Sequence, residues 1–149
     1  MPKKTINDYT FYKIVNINGD IDLCYVGSTV NMKERKRTHK NTCHNPNMPK
    51  YHLKVYQTIR EHGGWDEFKV IEIGTAEQLT LAEAHVIEEM HRVNLGATLN
   101  NYKCFRTDEE KNETNCVCLC ECGCEVSRKS ICSHRRTKKH NDRMLKNLD

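Results

Sequence analysis

The stretch YTFYKIVNINGDIDLCYVGS, residues 9–28, decides the fold of the first part of the chain. Apolar and polar residues alternate on both sides of Asn18-Gly19, a pattern typical of two β-strands. Asn-Gly readily adopts the positive φ angles of a type I′ turn, so the stretch predicts a β-hairpin. A two-residue turn at this point pairs Tyr12 with Tyr25 and places both phenols on one face of the sheet.

Two helices are predicted to follow the hairpin. Asn31 is a good N-cap and Glu34 lies three residues later, a capping-box pattern that starts a helix at about Met32. Pro49 suits the first turn of a second helix, which the glycines at 63–64 would end.

A further strand and helix complete this part of the chain. The segment FKVIEI, residues 68–73, predicts a third, well-buried strand. Thr80 and Glu83 form another capping-box pattern, for a helix that runs to about Arg92. The inward face of this helix is predicted to carry Leu81, Ala84, Ile87 and Met90. The order β, β, α, α, β, α lacks a simple β-α-β alternation and therefore predicts an α+β fold, a three-stranded antiparallel sheet flanked by helices.

The length of 149 residues allows one compact domain and a small appendage. The polar stretch RTDEEKNETN is predicted to be a linker over 106–115. It would separate a domain over 1–105 from a Cys/His-rich tail over 116–149.

The overall net charge of +4 conceals a strong asymmetry along the chain. Residues 1–60 carry 11 Lys or Arg against 4 Asp or Glu, residues 61–115 carry 5 against 12, and residues 116–149 carry 8 against 4. Unless these charges cancel on folding, a polyanion would meet the first segment and the tail. No signal-peptide pattern and no run of 18 apolar residues occur, so the protein is predicted to be soluble, intracellular and not membrane-bound.

Several motifs follow one another in the first domain: Thr10-Phe11-Tyr12, Tyr25-Val26-Gly27, Arg35, Glu83 on a helix, and TLNN at 98–101. In this order they resemble the GIY-YIG nuclease family, mobile-element or viral type, over about residues 9–103. The first motif differs from the family pattern, because Thr10-Phe11 stand where the family usually has Gly-Ile.

The resemblance implies a metal-dependent endonuclease that hydrolyses phosphodiester bonds, with DNA as the predicted substrate. Tyr12 would be the general base, and Tyr25 would bond the phosphate or orient Tyr12. Arg35 would brace a non-bridging phosphate oxygen with its planar fork. His39, one helical turn from Arg35, would position water or accept a proton.

The remaining roles in this domain also come from the resemblance. Glu83 would be the single protein ligand of a hard cation, Mg²⁺ or Mn²⁺. Asn100 would hydrogen-bond to the site, with Asn101 as an almost equal candidate. The nucleic acid would be contacted by Gly27, Lys36 and Arg37.

The tail CVCLCECGCEVSRKSICSHRRTKKH, residues 116–140, contains six of the nine cysteines. In a reducing compartment this pattern favours a metal site over disulfides. Zinc takes four nitrogen or sulfur ligands in a tetrahedron. The predicted set is Cys120, Cys122, His134 and His140, spaced C-x-C-x₁₁-H-x₅-H.

Other zinc pairings remain open, namely Cys118 with Cys122, Cys122 with Cys124, or Cys132 in place of a histidine. The spacing resembles the small C-x-C-G zinc-finger-like tails of nucleases of this kind. Metal binding would supply the folding free energy of a tail too short for its own core. Its basic residues are predicted to grip the nucleic-acid backbone: Arg128, Arg135, Arg136, Lys138 and Lys139.

Two other classes of protein fit parts of this pattern. A non-catalytic nucleic-acid-binding protein would keep the fold and the zinc tail, with Thr10-Phe11 as its only sequence hint. A zinc-dependent protein-interaction adaptor would bind its partner without the salt sensitivity of phosphate binding. No small-molecule organic cofactor is predicted for any of the three.

Overall fold

The computed structural model describes residues 5–19 and 23–146. The chain divides into two compact units, Met1–Phe105 and Arg106–Asp149. Within the described residues, no helix has both the length and the apolar character needed to cross a membrane.

The first unit contains a three-stranded sheet in which β1 (Ile6–Asn16) lies between β2 (Cys24–Thr29) and β3 (Phe68–Thr80). Both pairings are antiparallel. The predicted α+β class with a three-stranded antiparallel sheet is confirmed. The central position of β1 explains why it carries Phe11 and Tyr12, which have almost no exposed surface.

The register of the hairpin differs from the prediction by two residues, because Tyr12 lies opposite Gly27 rather than Tyr25. The strands are joined by residues 17–23 instead of by a two-residue turn; positions 20–22 lie outside the described residues. Side chains alternate with a period of two, so this shift leaves both tyrosines on the same face. Their ring centroids are 6.4 Å apart.

Helix α1 (Met32–His44) begins as predicted, with the Asn31 side chain accepting a hydrogen bond from the Glu34 backbone N–H. Helix α2 (Lys54–Glu61) begins five residues later than Pro49. The Lys54 backbone N–H donates to Asn101 Oδ1 over 3.0 Å. The start of α2 is therefore stabilised by a residue far along the chain, which local sequence does not reveal.

Helix α3 (Leu81–Asn94) has the predicted capping box between Thr80 and Glu83. Its inward face is different, since Leu81 and Met90 are 56% and 58% exposed. Each residue advances a helix by about 100°, so steps of three drift by about 60° and carry Met90 half a turn from Leu81. The buried residues of α3 are Ala84 and Glu88.

The larger of two core clusters in the first unit lies on the face of the sheet that carries Tyr12 and Ile14, and a smaller one is formed by Tyr9, Phe11 and Ala84. The larger cluster contains Tyr12 and Ile14 with Cys43, Val55, Tyr56, Ile59, Phe68 and Leu99. Strand β3 was predicted to be well buried, yet Phe68 is its only buried residue. β3 is an outer strand of the sheet, so much of its surface lies beyond the packed helices.

The second unit begins with α4 (Asp108–Asn115), a helix within the segment predicted to be a linker. Its start is stabilised by a capping box between Thr107 and Glu110. A short hairpin follows, β4 (Val117–Leu119) with β5 (Glu125–Ser127), and then two helices, α5 (Ile131–Arg135) and α6 (Lys138–Lys146).

Candidate functional site

A chain of hydrogen bonds joins β1, α1 and α2 inside the first unit. Arg35 Nε donates to Tyr12 Oη over 2.7 Å, and Tyr12 Oη lies 2.7 Å from His39 Nε2. His39 Nδ1 lies 2.9 Å from Tyr56 Oη. Arg35 and His39 are four residues apart and lie on the same face of α1, as the sequence predicts, and both contact the Tyr12 phenol. Tyr56, on α2, completes the chain.

The imidazole of His39 is enclosed by aromatic rings. Trp65 stacks on it with ring centroids 6.0 Å apart and an angle of 13°. The Tyr25 ring meets the imidazole edge to face, with ring centroids 5.7 Å apart. Burial lowers the pKa of His39 to about 3, with smaller contributions from the charges of Arg35 and Lys50. At neutral pH the ring is therefore uncharged, so one of its nitrogens donates a hydrogen bond and the other accepts one.

The two phenols differ in their access to solvent. The Tyr12 side chain is fully buried, whereas Tyr25 forms part of the wall of a cleft. Burial raises the pKa of Tyr12 well above its usual range and that of Tyr25 to about 12, although the charge of Arg35 opposes both shifts. Both phenols are thus protonated at neutral pH, and in this conformation Tyr25 is the one that a bound molecule can touch.

Gly27 makes room for Tyr12. A Cβ atom at position 27 would lie 2.5 Å from Tyr12 Oη and 2.7 Å from Tyr12 Cζ. A side chain here would displace the phenol from Arg35 and His39. The packing of Tyr12 is therefore sufficient to explain why position 27 is a glycine. A contact of Gly27 with the nucleic acid stays a prediction.

Two adjacent clefts open on the face of the core. One has a volume of about 310 Å³ and is lined by Tyr25 and Arg35 together with residues of α1 and the segment before α2. The other, of about 400 Å³, also includes Tyr25 and reaches Glu88 and Asn100. Both clefts have Lys50 in their walls, a cation that belongs to none of the sequence motifs.

Glu88, not Glu83, is the α3 carboxylate that lines the second cleft together with Tyr25. Its charge contributes to the raised pKa of Tyr25. The side chain of Glu83 instead accepts hydrogen bonds from the backbone N–H and hydroxyl of Thr80, at 2.8 and 2.7 Å. The side chain of Glu83 thus has a structural role, as the acid of the capping box that starts α3. Glu88 could have been found from its spacing of four from Ala84, which puts both residues on one helix face.

Glu88 is buried and makes two hydrogen bonds. Ser28 Oγ donates to its Oε2, and Cys104 Sγ donates to its Oε1 over 2.9 Å. Burial raises the pKa of the Cys104 thiol, and the adjacent Glu88 raises it further, so the thiol keeps its proton at neutral pH.

The two candidate asparagines have separate positions. Asn100 accepts from the Val26 N–H over 3.0 Å and donates to the Val26 carbonyl over 2.8 Å, so its amide is fixed against β2 at the edge of the cleft. Asn101 also lines this cleft, while its Oδ1 caps α2 through Lys54.

The predicted basic contacts on α1 are exposed side chains. Arg37 forms an ion pair with Glu34 at 2.7 Å, an exposed contact of little energetic weight. Lys36 is exposed on the same helix.

The second unit brings together the four residues predicted to bind zinc. Ligand atoms of Cys120, Cys122, His134 and His140 all lie within 4.8 Å of one another. Cys122 Sγ is 3.2 Å from His134 Nε2, and Cys120 Sγ is 3.5 Å from His140 Nδ1. Two sulfurs and two imidazole nitrogens in a compact group are a donor set that suits a tetrahedral ion such as Zn²⁺.

The local structure explains which cysteines meet. Strand β4 ends at Leu119, and Gly123, with a φ of 77°, turns the chain back into β5. Cys120 and Cys122 therefore lie at the tip of the hairpin. Cys118 instead donates to the Val126 carbonyl. The other tail cysteines also lie outside the four-residue group: Cys116, Cys124 and Cys132.

The predicted basic residues of the tail are exposed: Arg128, Arg135, Arg136, Lys138 and Lys139. Arg135 forms an ion pair with Glu121 at 2.8 Å. Lys138 and Lys139 line an open depression on α6 together with Arg143 and Asp142. These exposed side chains can therefore contact the phosphates of a nucleic acid without any change in the packing of the second unit.

Comparison of the chain with models of protein families, with curated proteins and with solved structures gives no match.

Proposed function

We propose that this protein is a metal-dependent endonuclease of the GIY-YIG type that hydrolyses phosphodiester bonds of DNA. The observation that supports the proposal is the position of the Tyr25 phenol in the walls of two adjacent clefts, one lined by the Arg35 guanidinium and the other by the Glu88 carboxylate. These are a hydrogen-bond donor, a fixed cation and a metal-binding acid, the groups that phosphodiester hydrolysis requires.

The proposal assigns the metal to Glu88 in place of Glu83. Glu88 faces the cleft beside Tyr25 and Asn100, whereas Glu83 is engaged in the cap of α3. A carboxylate with amide and phosphate oxygens nearby is a donor set that suits Mg²⁺ or Mn²⁺. Such an ion, when bound, would polarise the phosphate and offset its negative charge.

Hydrolysis forms a bond between a water oxygen and phosphorus and breaks one phosphorus–ester oxygen bond. The proton that the water loses passes to solvent through the open cleft, and the leaving oxygen takes up a proton from solvent. Arg35 donates to a non-bridging oxygen, where negative charge accumulates in the transition state. Tyr25, on the cleft wall, contacts the phosphate or the attacking water.

The residues behind the cleft hold Arg35 in position. Its Nε–H donates to Tyr12 Oη, and the terminal nitrogens of the guanidinium carry four further N–H donors. Tyr12 can donate its own proton to uncharged His39, whose Nδ1–H then donates to Tyr56. This buried chain gives Tyr12 and His39 a positioning role, which replaces the general-base role expected from the sequence.

The Cys/His unit would bind Zn²⁺ and add affinity for the nucleic-acid backbone. Its exposed Lys138 and Lys139 carry positive charge on a surface that the metal would stabilise. This assignment makes no use of base-specific contacts.

The deciding experiment compares Glu88→Gln with Glu83→Gln in the zinc-loaded protein. Nicking of supercoiled plasmid, and cleavage of branched and single-stranded DNA, is measured with Mg²⁺ or Mn²⁺, and DNA binding is measured in parallel. We expect the wild type to cut, Glu88→Gln to bind without cutting, and Glu83→Gln to cut.

Other results would change the assignment. Loss of cutting in Glu83→Gln alone would return the metal to the residue expected from the sequence. Salt-sensitive binding with no cutting of any substrate would favour the non-catalytic binding protein.

A further inference from the structure

The carboxylate of Glu88 is bonded at both oxygens, and each bond comes from a different part of the chain. Ser28, at the end of β2, donates to Oε2. Cys104, in the segment after α3, donates to Oε1 over 2.9 Å. We infer that Cys104 and Ser28 are positioning residues that orient Glu88 for the divalent cation, an inference that rests on the proposed function.

Cys104 is itself held in place by the residue next to Glu88 on α3. The Cys104 backbone N–H donates to Glu89 Oε2 over 2.9 Å. Glu89 is in turn bonded by Arg92 through two hydrogen bonds, of 2.8 and 2.6 Å. These bonds fix the backbone of Cys104 to α3 and therefore fix the direction from which its thiol reaches Glu88.

The two donors restrict Glu88 without using up its capacity as a ligand. A glutamate side chain loses much rotational freedom when it is held in one conformation. Each carboxylate oxygen can accept about two hydrogen bonds or ligand contacts, so one donor at each oxygen leaves a position free for a cation. Residues that orient a metal ligand in this way commonly change metal affinity or activity by ~10–100-fold when they are replaced.

The test measures Mn²⁺ affinity by electron paramagnetic resonance, with full-length zinc-loaded protein and Glu88→Gln as the reference for lost binding. Cys104→Ala removes the donor, and Cys104→Ser replaces the thiol by a hydroxyl donor. Cys24→Ala is the matched control, because that thiol donates to the Leu95 carbonyl away from Glu88.

We expect Cys104→Ala to weaken Mn²⁺ binding by ~10-fold or more. Cys104→Ser and Cys24→Ala should bind Mn²⁺ much as the wild type does. Ser28→Ala should weaken binding like Cys104→Ala, and it provides a second test should Cys104→Ala fail to fold. Rescue by serine separates the hydrogen bond from a general packing effect.

Wild-type affinity in both Cys104→Ala and Ser28→Ala would overturn the inference while leaving the nuclease proposal intact. Equal losses in Cys104→Ala and Cys104→Ser would also overturn it. Absence of Glu88-dependent Mn²⁺ binding in the wild type would overturn the inference together with the assigned metal site. Mn²⁺ binding with the expected pattern but without DNA cleavage would support the inference and count against the nuclease alone.

Discussion

Replacement of Gly27 by alanine should destabilise the first unit, because the new methyl group would occupy the space of the Tyr12 ring. The Cβ would lie 2.7 Å from Tyr12 Cζ, whereas carbon atoms pack best about 3.5–4.0 Å apart. The ring would have to move by about 1 Å, which would stretch both 2.7 Å hydrogen bonds of Tyr12 Oη beyond useful length.

Overpacking costs about 1–3 kcal/mol and each lost hydrogen bond about 1 kcal/mol. These costs overlap, because the new methyl group and the two hydrogen bonds all concern the Tyr12 ring. We therefore expect a loss of about 2–4 kcal/mol in the free energy of unfolding. Urea unfolding can be followed by the fluorescence of Trp65, the single tryptophan, which stacks on His39.

Gly74→Ala is the matched control for this experiment. Gly74 is also a strand glycine, on β3, but a Cβ there would find His91 Nε2 at 3.7 Å, an ordinary contact. Its stability should be unchanged or slightly increased, since alanine restricts the unfolded chain more than glycine does. Equal unfolding free energies for the two variants would refute the proposed packing of Gly27 against Tyr12.

Three further predictions concern pH, metal and salt. Folding lowers the pKa of His39 to about 3, so between that pH and ~6.5 the unfolded chain binds more protons than the folded protein does. The free energy of unfolding should therefore rise with pH across this window, by up to ~1.4 kcal/mol per pH unit. His39→Gln should flatten that rise in urea titrations at several pH values. Zinc removal by a chelator should abolish the helical and strand signals of residues 106–149 while Trp65 fluorescence persists, and Cys122→Ser should reproduce this in a circular dichroism titration. Replacing Lys138 and Lys139 by alanine should reduce the slope of log affinity against log salt by about 2 for duplex DNA, and an unchanged slope would place the phosphate contacts elsewhere.

Features set by neighbouring residues were predictable from the sequence. Asn31 and Thr80 cap their helices because a side-chain oxygen three residues before a free N–H is a local arrangement. Arg35 and His39 meet on one face because the helical repeat requires it. The Cys/His group of the tail was predicted from the spacing of its cysteines and histidines, although the sequence left other pairings of its cysteines open.

Features that depend on distant contacts were not predictable in the same way. The start of α2 depends on Asn101, and the hairpin register depends on the length of its connection. The choice between Glu83 and Glu88 depends on which carboxylate turns toward β2. Glu83 can be recognised from a local capping pattern. The position of Glu88 beside Tyr25 depends instead on how α3 packs against the sheet.

The hydrogen bonds between Asn100 and Val26 have a consequence for self-association. β2 is an outer strand of the sheet, and the unpaired peptide groups of such a strand invite pairing with another chain. The Asn100 amide satisfies both peptide groups of Val26, and the Leu99 N–H satisfies the Cys24 carbonyl over 3.1 Å. The segment that contains Leu99 and Asn100 thus uses hydrogen-bonding groups that a fourth strand would otherwise pair with. It blocks part of this edge from pairing with a strand of another molecule.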